Sequence, residues 1–173
     1  TAALVDPYVK AHKIASLEIT WDSLLRCVAN KGKPMIVSTG AADMRQIGWA
    51  LSVIRGQAPD LEVVLMHCVC AYPAPFAQAN LFAIIQMSVR FGVKVGWSDH
   101  TLTMDAAPLA VALGAPVIEK HLTLDRTLSG PDHAYAWEPL PFKSMVDAIR
   151  WAEDMLGDGE KRVMPCEEAL RPL

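Results

Sequence analysis

Residues 94–121 read KVGWSDHTLTMDAAPLAVALGAPVIEKH, and the pattern in this stretch decides the fold. Lys94 to Ser98 and Pro116 to His121 are short runs rich in aliphatic residues, each able to be buried on both faces like the strands of a parallel sheet. Between them, Asp105 to Leu113 has helical period, and Gly114 stands just past its end, where a helix C-terminus favours glycine. Strand, helix, strand in that order is a βαβ unit.

The alternation continues toward the N-terminus and beyond His121. Further strands are expected over roughly His12 to Ala15, Met35 to Ser38 and Val63 to His67. Further helices are expected near Trp21 to Asn30, Asp43 to Arg55, Leu81 to Phe91 and Pro141 to Leu156, with Gly32, Gly56 and Gly92 just past three of their ends. Five strands alternating with five helices exceed half a dinucleotide-binding fold, and no GxGxxG follows any of them. The expectation is an α/β protein of (β/α)8 TIM-barrel type, present only in part, over residues 1–156, with a tail from 157 to 173.

Composition narrows the function classes. At 173 residues, 52% hydrophobic and 20% charged, the chain has the make-up of a globular domain with a sizeable core. Net charge is −3 and the 16 Lys and Arg are scattered, so no basic stripe faces a nucleic-acid backbone. The most apolar stretches, Val63 to Tyr72 and Ala106 to Ile118, fall short of the roughly 20 residues of a bilayer span. No secretory pattern lies within the first twelve residues, and a cytoplasmic location is the expectation. Cys68 and Cys70 are one residue apart, closer than zinc pairs usually stand, so Cys27, Cys68, Cys70 and Cys166 are expected to be reduced, buried thiols.

In a barrel the reactive groups sit at the carboxyl ends of the strands, and here those ends are polar. They carry Lys13, Ser16 and Glu18; Ser38 and Thr39; His67 through Tyr72; Ser98, Asp99 and His100; and Glu119, Lys120 and His121. His100 and His121 end consecutive strands, and neutral imidazoles suit manganese, zinc or iron; an ordinary hydrogen-bonded pair is the bland alternative. Strand alternation puts Glu119 on the face of His121 and Ser98 on that of His100. Glu119 is placed to support a metal site, or else to form a salt bridge with Lys120 or Arg126. Lys13, Ser38 and Ser98 have the charge and hydroxyls to hold a phosphate or carboxylate. Tyr72 precedes the stiff Pro73-Ala74-Pro75, which would hold its ring over the barrel mouth. Gly130-Pro131-Asp132-His133 is a turn signal that puts a carboxylate on a rigid loop.

Taken in order, KIASLE, GKPMIVSTG, LMHCVCAYPAP, VGWSDHTL, ALGAPVIEKHLTLDR and SGPDHAYAWEP resemble the N-acetylneuraminate (sialic acid) synthase family over essentially the whole chain. The resemblance implies condensation of phosphoenolpyruvate with N-acetylmannosamine or a related N-acetylated amino sugar, releasing phosphate by C–O cleavage. It implies a divalent metal, manganese first with magnesium or cobalt as alternatives, and a homodimer. His100 and His121 match the metal ligands. Lys13, Ser16, Ser38 and Ser98 match the phosphoenolpyruvate positions. Glu18, Tyr72 and Asp132 match sugar contacts, and proton movement is assigned to Glu18 and Glu119. Cys70 belongs to the phosphoenolpyruvate set, although Val69-Cys70 replaces the usual pair of small polar residues. Leu17 stands where the family has glycine, with the expectation that it crowds the approach between Ser16 and Glu18. Trp97, Tyr135 and Trp137 are further departures. By the same resemblance the chain covers strands 4 to 8 of the barrel, and 157–173 corresponds to the linker toward an antifreeze-like domain. A pseudaminate, legionaminate or related sugar-acid synthase is the alternative within the enzyme class. A non-catalytic half-barrel serving assembly or anion binding is the alternative outside it.

Overall fold

A computed structural model describes residues 2–171 of the chain. Five strands, β1 (His12–Ile14), β2 (Met35–Ser38), β3 (Val63–Cys68), β4 (Lys94–Asp99) and β5 (Ile118–Lys120), form one parallel sheet in sequential order. A short α1 (Ala2–Val5) precedes the sheet. Helices α2 (Asp22–Ala29), α3 (Met44–Gln57), α4 (Phe82–Phe91) and α5 (Ala106–Ala112) connect successive strands, and α6 (Pro139–Leu156) follows β5. Parallel neighbours joined by helices, without a reversal of strand order, are the construction of a barrel wall, here a half-barrel.

Local chemistry accounts for the helix limits. Asp43 caps α3 by accepting from the N–H groups of Arg45 and Gln46, while the Gln46 side chain accepts from Asp43 N–H, a reciprocal capping box. Gly92 ends α4 at φ 63°, a left-handed conformation glycine adopts without strain. Four expected boundaries need correction. Gly56 lies inside α3 rather than beyond it, and α6 begins at Pro139 because a proline costs nothing in the first helical turn, where no N–H bond is lost. Strand β4 runs one residue further than expected, to Asp99, while β5 is shorter, so His100 and His121 each stand one residue beyond their strand.

Strand alternation sorts the side chains onto two faces. Ile14, Val37, Leu65, Val95 and Trp97 turn outward to the helices and form the main core with Leu25, Ile47, Leu51, Ile54 and Ile84, all buried. Lys13, Ser38, Cys68, Ser98 and Glu119 belong to the concave face; the register sets Cys68 beside Ser98 and Ser98 beside Glu119. Low on that face, a Cβ at Gly96 would meet Val117 O at 2.5 Å and Met66 Sδ at 2.7 Å, so the closely packed floor requires glycine. Among the described residues no helix is long and apolar enough to cross a membrane.

Curvature is visible in one contact. Four strand spacings of about 4.8 Å would separate the edges of a flat five-stranded sheet by about 19 Å. Yet Lys13 Nζ on edge strand β1 lies 3.3 Å from Glu119 Oε2 on edge strand β5. Only a sheet curled into a trough brings them together.

Candidate active site

The polar residues of the concave face join into one network. Lys13 Nζ donates to Ser38 Oγ at 2.8 Å and pairs with Glu119. Glu119 Oε1 accepts from Ser98 Oγ at 2.6 Å. Ser38 and Ser98 are almost fully buried, whereas Lys13 and Glu119 keep part of their surface open to the trough. The salt bridge considered for Glu119 therefore exists with a different partner, Lys13 rather than Lys120 or Arg126. Lys13 and Glu119 offer adjacent charges of opposite sign, and an anion entering the trough would compete with Glu119 for the ammonium.

His100 stands beside this chain. Its Nδ1 is 2.7 Å from Val69 O, an acceptor only, so the proton sits on Nδ1 and Nε2 carries a lone pair. Ser98 Oγ is 3.4 Å from Nε2, but its one proton goes to Glu119, leaving that lone pair free. Burial holds the His100 imidazole below its usual value, which favours the neutral, ligand-competent form. His121 has its ring centroid 5.6 Å from that of His100, and its Nδ1 is 3.9 Å from Asp132 Oδ2. Two imidazoles backed by a carbonyl and a carboxylate fit part of a divalent-metal ligand set. Among the described residues, no group of three or more His, Cys, Asp or Glu converges to complete one.

Tyr72 and Tyr135 roof the two imidazoles. Ring centroids are 4.3 Å apart for Tyr72 and His100, 5.8 Å for Tyr72 and His121, and 5.2 Å for Tyr135 with both Tyr72 and His121. The Tyr135 hydroxyl donates to Asp132, and that bond pushes its pKa up to about 12. Thus Asp132, on the loop that the turn signal marked, stands beside His121, and Tyr135 is a site neighbour that the strand ends could not reveal. Its signal in the sequence was its standing as a departure from the pattern of the resembled family.

Other positions behave differently. Glu18 accepts from Ala15 N–H at 3.1 Å and caps its own turn, Ser16–Glu18, without a contact to the network. Leu17 is 82% exposed and sits in a one-turn 3-10 helix, Ser16–Glu18, rather than on a strand. Ser16 Oγ accepts from Gly40 N–H and lies 3.3 Å from Cys68 Sγ. The expectation of four buried thiols holds only for Cys68; Cys27, Cys70 and Cys166 are exposed because a helix surface, a loop and the tail carry them. His67 turns to the helix side, bonding to Ala79 O and Asn80 O, and leaves the ring of strand-end groups.

A buried ion pair holds both histidine-bearing strand ends from behind. Lys120 Nζ donates to Asp99 Oδ2 at 2.8 Å and to Thr101 O, with side-chain exposures of 2% and 0% for Lys120 and Asp99. Trp137 closes over it, its ring centroid 4.4 Å from Lys120 Nζ. Asp99 and Lys120 immediately precede His100 and His121, so the pair clamps the two strands one residue behind the imidazoles. Trp137 N–H also donates to His121 O, and Thr123 N–H to Trp137 O, both at 2.9 Å, tying the 122–137 loop to the end of β5.

A curled parallel sheet of five strands with a polar network, paired imidazoles and an aromatic roof at the carboxyl ends of its strands is part of a (β/α) barrel. Residues 1–161 match the NeuB family, and the chain belongs to that family. It is 40% identical over 173 residues to the N,N'-diacetyllegionaminic acid synthase of Legionella pneumophila, covering 98% of this chain and 49% of the relative. A pseudaminic acid synthase of Campylobacter jejuni is also 40% identical, over 87% of this chain and 43% of the relative. Among solved structures, the N-acetylneuraminic acid (sialic acid) synthetase of Leptospira borgpetersenii superposes with a TM-score of 0.86 at 34% identity, over 94% of this chain and 56% of that one. The chain spans about half the length of the curated relatives it matches.

Proposed function

We propose that the intact protein containing this chain condenses phosphoenolpyruvate with N-acetylmannosamine or a related N-acetylated amino sugar, giving a sialic acid and phosphate. The observation that carries this reading is the hydrogen-bonded chain from Ser38 through Lys13 and Glu119 to Ser98, beside the two imidazoles of His100 and His121. It supplies a cation and hydroxyls for an anionic substrate next to nitrogen donors for a metal.

In this reading Lys13 leaves Glu119 for the phosphate or carboxylate of phosphoenolpyruvate, with Ser16, Ser38, Ser98 and Cys70 as flanking donors. His100 and His121 are the residues that hold the divalent metal, manganese first and magnesium or cobalt as alternatives. When bound, such an ion supplies Lewis-acid polarisation of the sugar aldehyde. Tyr72 and Asp132 face the sugar, and Asp132 exchanges the Tyr135 hydroxyl for a sugar hydroxyl. Glu119, released by Lys13, and Glu18 handle proton movement. The enol carbon forms the new bond to the aldehyde carbon, water adds to the adjoining carbon, and the C–O bond to phosphate breaks. A homodimer and a cytoplasmic location belong to the same reading.

A legionaminate or pseudaminate synthase is the second reading, favoured by the two relatives of those activities at 40% identity. Full-length protein incubated with phosphoenolpyruvate, manganese and N-acetylmannosamine, or six-carbon sugars bearing two acetamido groups, separates the readings by phosphate release. Release dependent on one acceptor assigns the substrate. No release with any acceptor rejects the synthase reading and leaves an anion-binding half-barrel.

A further inference from the structure

The proposed condensation uses Cys70 only as a flanking donor and gives Cys68 no part. Both sulfurs nevertheless stand in the wall of the site. A Cβ built on Gly40 would lie 2.3 Å from Cys70 Sγ, 3.0 Å from Cys68 Sγ and 2.9 Å from Ser16 Oγ, so two thiols and a hydroxyl converge on one face of Gly40. Cys68 closes β3 with its side chain on the concave face. Beyond it the chain turns tightly, Ala71 N–H bonding to Val69 O at 2.9 Å. Cys70 at the centre of that turn stays near Cys68 rather than being carried away along an extended strand. Access is unequal: Cys70 is exposed, and Cys68 is buried behind it.

We propose that Cys68 and Cys70 form a redox-active dithiol in the wall of the site, with Cys70 the residue attacked by a peroxide and Cys68 the residue that resolves it to a disulfide. The Cys70 thiolate attacks one peroxide oxygen: a sulfur–oxygen bond forms, the oxygen–oxygen bond breaks, and the departing hydroxide takes up the thiol proton as water. Cys68 sulfur then attacks Cys70 sulfur: the sulfur–sulfur bond forms, the sulfur–oxygen bond breaks, and a second water leaves with the Cys68 proton. Two thiols are oxidised and one peroxide is reduced to two waters. The order follows access, and burial, which pushes the Cys68 thiol up, also disfavours Cys68 as the first to react.

The disulfide has a consequence for the site. It withdraws Cys68 Sγ from Ser16 Oγ, the hydroxyl that holds Gly40 N–H, and draws both sulfurs together in front of Gly40. Resting on the placement of phosphoenolpyruvate proposed above, oxidation raises its KM by about tenfold, the size of one lost hydrogen bond.

The test treats full-length protein with hydrogen peroxide at concentrations that oxidise the exposed Cys27 and Cys166, then maps the thiols by mass spectrometry. Trypsin places Cys68 and Cys70 together on peptide 56–90, apart from Cys27 and Cys166. The expected result is that this peptide loses two hydrogens and regains them with a reductant. Cys70→Ser removes the reaction, and Cys68→Ser leaves a sulfenic acid that a dimedone probe traps at Cys70. Both thiols remaining free while Cys27 and Cys166 react overturns the proposal, as does a sulfenic acid at Cys70 of the unmodified sequence that never advances to the disulfide. Repeating the oxidation with saturating phosphoenolpyruvate separates the two ideas. Protection supports both, whereas an unchanged rate refutes the placement of phosphoenolpyruvate against Cys70 and leaves the dithiol established by the peptide map.

Discussion

Replacing Lys120 by Met strikes the clamp behind the two histidines. The ammonium it removes is 2% exposed and serves Asp99 Oδ2, Thr101 O and the face of Trp137. Met fills most of the volume but leaves the Asp99 carboxylate buried with only the Thr101 N–H bond to its other oxygen. An uncompensated buried charge costs about 3–5 kcal/mol, far more than the roughly 0–1 kcal/mol of an exposed pair such as Lys94 with Glu62. With a urea slope of about 2 kcal/mol per molar, the unfolding midpoint falls by about 1.5–2.5 M. Adding Asp99→Asn removes the orphaned charge, and the new amide can donate to the vacated Thr101 O, so the double variant recovers at least half of the loss. Urea unfolding followed by tryptophan fluorescence measures both variants and the native sequence. A single-variant cost below about 1 kcal/mol, or a double variant no more stable than Lys120→Met alone, refutes the argument that the pair is a desolvated clamp.

Three further outcomes follow from the same geometry. Burial holds His67 below its usual value, so between that lowered value and about 6.5 the unfolded chain binds the proton that the folded chain refuses. Stability is therefore lost as pH falls below about 6.5, and His67→Gln flattens that slope in urea unfolding; an unchanged slope rules out His67 as its source. Gly40→Ala forces a methyl against Cys70 Sγ, Ser16 Oγ and Cys68 Sγ, and costs about 1–3 kcal/mol by thermal unfolding, where a neutral result would mean the thiols move aside freely. In the full-length protein, His100→Ala and His121→Ala each lower manganese affinity by tenfold or more in an electron paramagnetic resonance titration, with circular dichroism unchanged; native affinity in both removes the metal assignment.

Much of the fold was legible because parallel strands buried on both faces leave aliphatic runs, and helices leave caps and a 3.6-residue period. Strand β2 was legible to the residue, as Met35–Ser38. Boundaries slipped where local rules compete: Gly56 reads as a stop signal, yet α3 continues through it to Gln57. At the site, Lys13, Ser38, Ser98 and Glu119 were legible as polar residues at strand ends, and so were His100 and His121. Their pairings were not. The Glu119 alternatives weighed from sequence, Lys120 and Arg126, were near neighbours along the chain, whereas its partner came from the far edge of the sheet.

What the sequence determined by itself was the alternation of elements, the faces of the strands and the types of chemistry available at their ends, because all of these depend on local periodicity and residue identity. Only the tertiary structure decided that Lys13 meets Glu119, that Lys120 turns inward to Asp99 beneath Trp137, and that Cys68 and Cys70 face Gly40 together. Those contacts depend on the curl of the whole sheet and on which side of it each helix packs, quantities that no single stretch of residues encodes.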